Sequence, residues 1–168
     1  MRKIVVGVMG PGEKAKATDW QNAYKLGKFI AQEGWVLLTG GRNTGVMDAA
    51  SQGAKSANGL TIGILPSDQR KGISESVDIA IFTDMGNARN NINVLSSDVV
   101  IACGMGVGTA SEIALALKGS KKVILLNSGE ESKVFFHNLS PENVYIVDGV
   151  EKAIATAKAI LSATINAD

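Results

Sequence analysis

The sequence predicts an α/β fold: a doubly wound, mostly parallel sheet of about seven strands with helices on both faces. Apolar runs of strand length recur along the chain, and helical segments lie between them. Most of these runs are continuous and do not alternate with polar residues, which is typical of strands buried on both faces. The alternation of strand and helix, with short connections and no internal repeat, favours a Rossmann-like sheet. We expect residues 1–168 to form a single domain.

The individual elements follow from the same patterns. Strands are predicted over residues 3–9, 35–39, 60–65, 77–83, 98–103, 122–126 and 144–147. Helices are predicted from Thr18 to Gly34 and over residues 45–57, 86–96, 109–119 and 149–163. Thr18 and Gln21 have the spacing of a capping box, and Gly34 suits the end of the first helix. The segment around His137 is predicted to be a loop in which this histidine lies at the surface or in packing.

The bulk properties limit the classes of partner. The formal net charge is +1, so no global field favours nucleic acid or an anionic membrane. Cys103 is the only cysteine, which excludes an intrachain disulfide; we expect it to be a small buried residue, with a thiolate that contacts a ligand as the alternative. The first apolar run is too short for a signal peptide or a membrane span, so we expect a cytoplasmic protein.

Three glycine-rich turns follow the first, second and fifth predicted strands. Ligands of open parallel sheets bind outside the carboxyl ends of the strands, where these turns lie. Glycine lets the backbone approach an anion, and the helix that follows presents free N–H groups and a partial positive charge. We therefore predict a site for a phosphate-bearing small molecule, although each turn alone could serve only as a tight connection. The candidate binding residues in these turns are Gly10, Gly12, Gly40, Gly41, Arg42, Thr44, Gly45, Gly104, Met105, Gly106, Val107, Gly108 and Thr109.

The first turn lacks the dinucleotide fingerprint. Gly7, Gly10 and Gly12 do not give the G-x-G-x-x-G spacing, and no acidic residue ends the second strand. We therefore expect neither NAD nor FAD. The sequence contains no His and Cys cluster with metal-ligand spacing, so no metal site is predicted.

Two of the turns carry a family resemblance. Residues 40–47 (GGRNTGVM) resemble the G-G-G-x-x-G-L-M-G motif of LOG-like proteins, which are often labelled "possible lysine decarboxylase". Residues 104–112 (GMGVGTASE) resemble their P-G-G-x-G-T-x-x-E motif, and the similarity extends over about residues 3–127. Nothing in the sequence suggests the lysine that would bind pyridoxal phosphate. The family includes phosphoribohydrolases of nucleoside 5′-monophosphates and carriers of molybdenum cofactor.

The resemblance to the hydrolase branch implies two catalytic residues. Arg89 and Glu112 match the arginine and the glutamate of those enzymes. In that role Glu112 would stabilise a ribosyl cation or position water, and Arg89 would hold a phosphate or orient the carboxylate. The alternatives are structural: Glu112 forms a capping box with Thr109, and Arg89 is a solvated charge on a helix.

At several positions the sequence differs from the motifs of the enzymes, and there it resembles the carrier branch of the family instead. Arginine stands at position 42 where a third glycine is expected, and Cys103 and Met105 flank Gly104 in place of the usual Pro-Gly-Gly. Asn90 stands where the enzymes have lysine, beside three further asparagines, Asn87, Asn91 and Asn93. Their amides suit a heterocycle such as a pterin; the alternative is a weakly helical, solvated segment. The resemblance therefore favours binding of molybdenum cofactor without catalysis, and a nucleotide sensor remains a third possibility.

The resemblance also implies partners. Similar proteins form homo-oligomers, so we expect a dimer or tetramer, and the alanines of the second helix (Ala49, Ala50, Ala54 and Ala57) would permit close packing. Molybdoenzymes are possible protein partners. The lysine-containing stretch Glu13–Lys16 is expected to be a solvated loop, with closure over the site as the alternative.

Overall fold

Seven parallel strands form one sheet in the computed structural model, which describes residues 2–165. The strands are β1 Val5–Met9, β2 Val36–Thr39, β3 Thr61–Leu65, β4 Ile79–Phe82, β5 Val99–Cys103, β6 Val123–Leu126 and β7 Val144–Val147. The helices are α1 Ala17–Gln32, α2 Gly45–Ser56, α3 Arg89–Leu95, α4 Val107–Lys118, α5 Glu130–Leu139 and α6 Val150–Ile165. A short 3₁₀ turn, Gly86–Ala88, leads directly into α3. The predicted fold class and all seven strands are confirmed.

The strand order creates a crevice in the middle of the sheet. The order is β4-β3-β2-β1-β5-β6-β7, so the direction of winding reverses between β1 and β5. These two strands pair in parallel, with Val6 opposite Val99 and Met9 opposite Ala102. The loops that follow them must diverge toward opposite sides of the sheet. The carboxyl ends of β1 and β5 therefore form the switch point at which a ligand site is expected.

Each face of the sheet is covered by three helices. On one face, Val8 and Ile101 pack in a cluster with residues of α1, α2 and α6. On the other face, Met9 and Val100 pack with residues of α3, α4 and α5. Side chains alternate between the two faces along a strand, which explains why the strands are apolar throughout. Among residues 2–165, no helix is both long and apolar enough to cross a membrane.

Helices α1 and α2 pack at backbone distance. A Cβ added at Gly27 of α1 would lie 2.8 Å from the carbonyl carbon of Ala50 on α2, closer than two such atoms approach. Ala49, Ala50 and Ala54 are all fully buried in this contact and in the adjoining core. The close packing that the alanines of α2 were expected to permit is confirmed, and for these three residues it is made within the chain.

Three local predictions need correction. Residues Glu130–Leu139 form a helix where a loop was predicted, and His137 lies exposed on it. Helix α1 begins at Ala17, one residue before Thr18. The backbone N–H of Lys16 donates to the Asp19 carboxylate, with 2.9 Å between nitrogen and oxygen. The capping box predicted from Thr18 is therefore wrong. Helix α4 begins at Val107, two residues earlier than predicted, which moves its free N–H groups into the third glycine-rich turn.

Candidate functional site

A cleft opens at the carboxyl ends of β1, β2 and β5. Its volume is about 400 Å³, within the usual range for small-molecule sites. It brings together twelve of the predicted site residues: Gly10, Gly12, Gly40, Arg42, Asn87, Arg89, Asn90, Gly106, Val107, Gly108, Thr109 and Glu112. The other five, Gly41, Thr44, Gly45, Gly104 and Met105, lie in the same turns but do not line the cleft.

The N-terminus of α4 forms one wall of the cleft. Gly106 precedes the helix, and the N–H groups of the first turn, from Val107 to Thr109, have no acceptor within the helix. The side chain of Thr109 is 2% exposed, and its Oγ1 has no hydrogen-bond partner. A buried hydroxyl without a partner is uncommon. The free N–H groups, the helix dipole and this hydroxyl together form a wall suited to an anion.

Arg89 connects the ends of two strands beside the cleft. Its Nη1 donates to the carbonyl of Gly40 at 2.5 Å and also to the carbonyl of Ile64. The side chain is buried, its Nε has no partner, and burial lowers its pKa from the usual value. Arginine still remains charged at neutral pH. The solvated alternative for Arg89 is therefore wrong, since the guanidinium is enclosed and fixes the turn after β2.

Glu112 is a buried acid on the same wall. It is 8% exposed, and its Oε1 accepts the side-chain N–H of Asn93 at 2.9 Å. Burial raises the pKa of Glu112 to about 7, while the Asn93 hydrogen bond and the Arg89 charge act in the opposite direction. The capping alternative is wrong because α4 begins before Thr109 and the carboxylate bonds to Asn93. Glu112 therefore changes charge near neutral pH inside the cleft.

The asparagines of the α3 region divide between the cleft and the surface. Asn90 is buried, lines the cleft, and donates from Nδ2 to Ser111 Oγ at 2.9 Å. This bond uses one of the two amide N–H groups, so the second N–H remains to donate and Oδ1 remains to accept. Asn87 also lines the cleft, and Asn93 is fully buried under Glu112, whereas Asn91 is exposed. The solvated-segment alternative thus holds for Asn91 but not for Asn90 and Asn93.

Gly104 shapes the third turn without lining the cleft. Its φ is +78°, and an added Cβ would lie 2.6 Å from the Asp19 carboxylate. Asp19 is itself buried and accepts the side-chain N–H of Asn127 at 2.6 Å as well as the Lys16 N–H. One carboxylate thereby joins the turns after β1, β5 and β6. Sequence reasoning missed Asp19, although its position three residues after Lys16 is the spacing of a helix cap.

Cys103 ends β5 behind the cleft and does not line it. It is fully buried, and its Sγ donates to the Asp19 carbonyl at 3.4 Å. Burial raises the pKa of the thiol to about 12. The expectation of a small buried residue is confirmed, and a thiolate at neutral pH is contradicted.

The cleft carries more positive than negative charge. Lys14, Arg42 and Arg89 line it together with the acids Glu13 and Glu112. The Arg42 guanidinium is 3.9 Å from the Glu13 carboxylate, and both side chains are well exposed at the mouth. Since Glu112 is partly protonated near neutral pH, the net charge of the side chains that line the cleft favours an anionic ligand. The loop before α1 is exposed, and Glu13 and Lys14 on it line the mouth of the cleft; its closure over the site stays a prediction.

Four further lining residues were not predicted: Val8, Met9, Pro11 and Met47. They are apolar, and nothing in the sequence separates them from core residues. Among residues 2–165, no group of three or more His, Cys, Asp or Glu side chains could hold a metal ion.

The fold and the cleft define a Rossmann-like α/β protein with a ligand-sized cleft at the topological switch point of its sheet. A model of the SLOG cluster4 family matches residues 3–154, and the chain belongs to that family. The resemblance to LOG-like proteins that the glycine-rich motifs carry is confirmed.

Solved structures of cofactor-binding proteins are similar over nearly the whole chain. The molybdenum cofactor binding protein of the phototrophic bacterium Rippkaea orientalis is 64% identical, with a TM-score of 0.94 over 96% of this chain and 99% of that one. The Moco carrier protein of Chlamydomonas reinhardtii is 50% identical, with a TM-score of 0.92 and the same coverage. A cytokinin riboside 5′-monophosphate phosphoribohydrolase of Mycobacterium tuberculosis is 33% identical over 93 residues, which are 54% of this chain and 50% of that enzyme.

Proposed function

We propose that this protein binds molybdenum cofactor in the cleft and carries it without chemical change. The observation that carries the proposal is the N-terminus of α4, where free N–H groups and the buried hydroxyl of Thr109 face a cleft with three cationic side chains. The proposal is supported by the similarity to two cofactor-binding proteins over 96% of the chain. The distant phosphoribohydrolase matches only about half of it.

The phosphate of the cofactor would lie at the N-terminus of α4. Backbone N–H groups from Val107 to Thr109 would donate to its oxygens, and Thr109 Oγ1 would donate one further hydrogen bond. A Cβ at Gly108 would meet nothing within 4 Å, so the approach to this turn is open. Lys14 and Arg42, at the mouth, would add long-range attraction for a dianionic group.

The pterin would lie toward α3. Its ring carries both donors and acceptors, and Asn87 and Asn90 can offer both. Ser111 accepts one of the two amide N–H groups of Asn90, which fixes the orientation of the amide. Asn90 would then offer its second N–H as a donor and its oxygen as an acceptor.

A titration with molybdenum cofactor tests the proposal. The wild-type protein is expected to bind the cofactor saturably, and Thr109→Val to weaken binding about tenfold, because one hydrogen bond to a charged group is lost. Thr156→Val, on α6 and outside the cleft, is the matched control and should leave the affinity unchanged. Absence of saturable binding by the wild-type protein would contradict the proposal.

A second candidate function is hydrolysis of a nucleoside 5′-monophosphate. The position of Glu112 favours it, since a buried acid in the cleft with a pKa of about 7 suits general acid–base work. Incubation with AMP, followed by chromatography of free adenine and ribose 5-phosphate, measures this activity. Turnover that is lost in Glu112→Gln would establish the hydrolase and contradict the carrier. Binding of AMP without turnover would favour carrier or sensor.

We further propose a homo-oligomer, dimer or tetramer, formed through the free edge of β4. Ile79 and Ile81 share one face of β4 and are each more than two-fifths exposed. Exposed apolar residues that share one face of a strand mark contact surfaces. Light scattering at several concentrations should give a mass above one chain, and Ile81→Lys should reduce it toward the monomer.

Partner and compartment complete the proposal. A carrier must pass its cargo to a recipient, so we propose molybdoenzymes as partners and the cytoplasm as the location. Co-purification with an apo-molybdoenzyme and cell fractionation test these two points.

A further inference from the structure

A second, apolar groove adjoins the cleft on the other side of the α4 N-terminus. It measures about 420 Å³ and lies between α4 and α5. It shares Gly106 and Val107 with the cleft, so the first turn of α4 is the boundary between the two. The remaining lining residues are Met105, Ala110, Glu131, Ser132, Phe135 and Phe136.

The surface of the groove is aromatic and open. Phe135 is 58% exposed, and Val107, at the boundary, is 92% exposed. Phe136 is buried in the core and meets the Phe135 ring edge-on, with ring centroids 5.1 Å apart. This contact supports Phe135 from below and leaves its outer surface available. Large apolar side chains with this exposure mark binding surfaces.

The distribution of charge separates the groove from the cleft. All three cationic side chains of the site line the cleft, whereas the only charged residue of the groove is Glu131. An anionic group would therefore remain at α4 and in the cleft. The groove suits a neutral, flat group, with Glu131 and Ser132 available to its polar edge.

We propose that the groove is a second ligand subsite, which takes a nucleoside joined to the cargo through a second phosphate. The proposal rests on the proposed function, because the first phosphate must lie at the α4 N-terminus for the ligand to extend across it. The base would stack on Phe135, as bases do on exposed aromatic rings. The carboxylate of Glu131 would accept from ribose hydroxyls, the role that an acidic residue has in dinucleotide-binding folds. The ligand class is thus a dinucleotide form of the pterin cofactor.

The size of the groove argues against a protein segment as its occupant. A stable protein interface buries about 800 Å² of surface on each partner, and the eight residues that line the groove expose far less surface than that. The volume of the groove instead lies in the range of small-molecule sites. Continuity with the cleft through Gly106 and Val107 also places the groove within reach of a ligand already bound there.

The test compares two probes on the purified full chain: molybdenum cofactor, and the same cofactor with GMP attached through a pyrophosphate. The wild-type protein is expected to bind the GMP form about tenfold more tightly, within the range for one base on one aromatic side chain. Phe135→Ala should abolish this preference and leave the Kd of the plain cofactor unchanged. Leu139→Ala is the matched control, because this exposed residue lies one turn further along α5 and outside the groove.

The outcomes separate the two proposals. Equal affinity of the wild-type protein for both forms, or weaker binding of the GMP form, would overturn the second subsite and leave the carrier function standing. A preference that survives in Phe135→Ala would also overturn it. If neither form binds, both proposals are wrong.

Discussion

Replacing Glu112 with glutamine should remove a pH dependence from the stability of this protein. The carboxyl is buried under α3 and α4, where the ionised form lacks water and is stabilised only by Asn93 and the charge of Arg89. Glutamine keeps the size of the side chain, and its oxygen can still accept from Asn93. The substitution therefore removes the titration and leaves the packing.

The sign and the size follow from the pKa. Burial raises the pKa of Glu112 from 4.5 to about 7, and the difference of about 2.5 pKa units, at about 1.36 kcal/mol each, corresponds to about 3 kcal/mol. Below pH 4.5 Glu112 is protonated in both the folded and the unfolded chain, so the free energy of unfolding is not reduced by its ionisation. Between pH 4.5 and about 7 only the unfolded chain ionises, so the wild-type protein loses stability. Above about pH 7 the loss is complete and constant.

Urea denaturation at several pH values between 4.5 and 8, at one protein concentration, measures how the free energy of unfolding depends on pH. The free energy of unfolding of Glu112→Gln should exceed that of the wild type by an amount that grows from pH 4.5 to 7, by up to about 3 kcal/mol. Glu151→Gln, at an exposed position of α6, should show no such trend. A difference between Glu112→Gln and wild type that stays constant over this pH range would refute the reasoning.

Three further predictions concern the same site. Gly104→Ala should lower the free energy of unfolding by about 2 kcal/mol, because φ is +78° and the new methyl group would meet the Asp19 carboxylate. Gly108→Ala is the control: this position lies in open space, so the free energy of unfolding should change by less than about 0.5 kcal/mol. Urea denaturation measures both variants. Arg89→Lys should cost about 2 kcal/mol in the same assay, since an ammonium group lacks the planar geometry that joins two carbonyls, and an unchanged midpoint would contradict the bridging role. The affinity for AMP should fall as the pH rises through about 7, because ionised Glu112 repels the phosphate, and calorimetry on Glu112→Gln should show a flatter profile.

The sheet was predictable because its physical signal is simple. Strands covered on both faces need apolar residues throughout, and most of the seven runs had that pattern. Helix α5 was missed because it buries little: Phe136 is its one buried residue, while Phe135 and Leu139 face outward. Without an apolar stripe at helical spacing, its sequence resembles a surface loop.

The turns that build the site were also predictable, but the contacts inside them were not. Glycine-rich segments after three strands indicated where a ligand would lie, and twelve of the predicted residues do line one cleft. The sequence could not show that Arg89 bonds to carbonyls at the ends of two strands, or that Asn93 lies under Glu112. Those pairings depend on how α3 is placed over β3 and against α4, which no local pattern encodes. The same is true of Asp19, whose partners are up to 108 residues away in sequence.

The contacts of Arg89 and Glu112 bear directly on the choice between carrier and enzyme. In a hydrolase the arginine contacts the substrate, whereas here Nη1 is engaged by two backbone carbonyls and Nε is buried without a partner. The glutamate is held by Asn93 and stays partly protonated near neutral pH, which weakens it as a stabiliser of positive charge. Both residues are better placed to form a rigid cleft whose negative charge is suppressed than to act on a ribosyl bond.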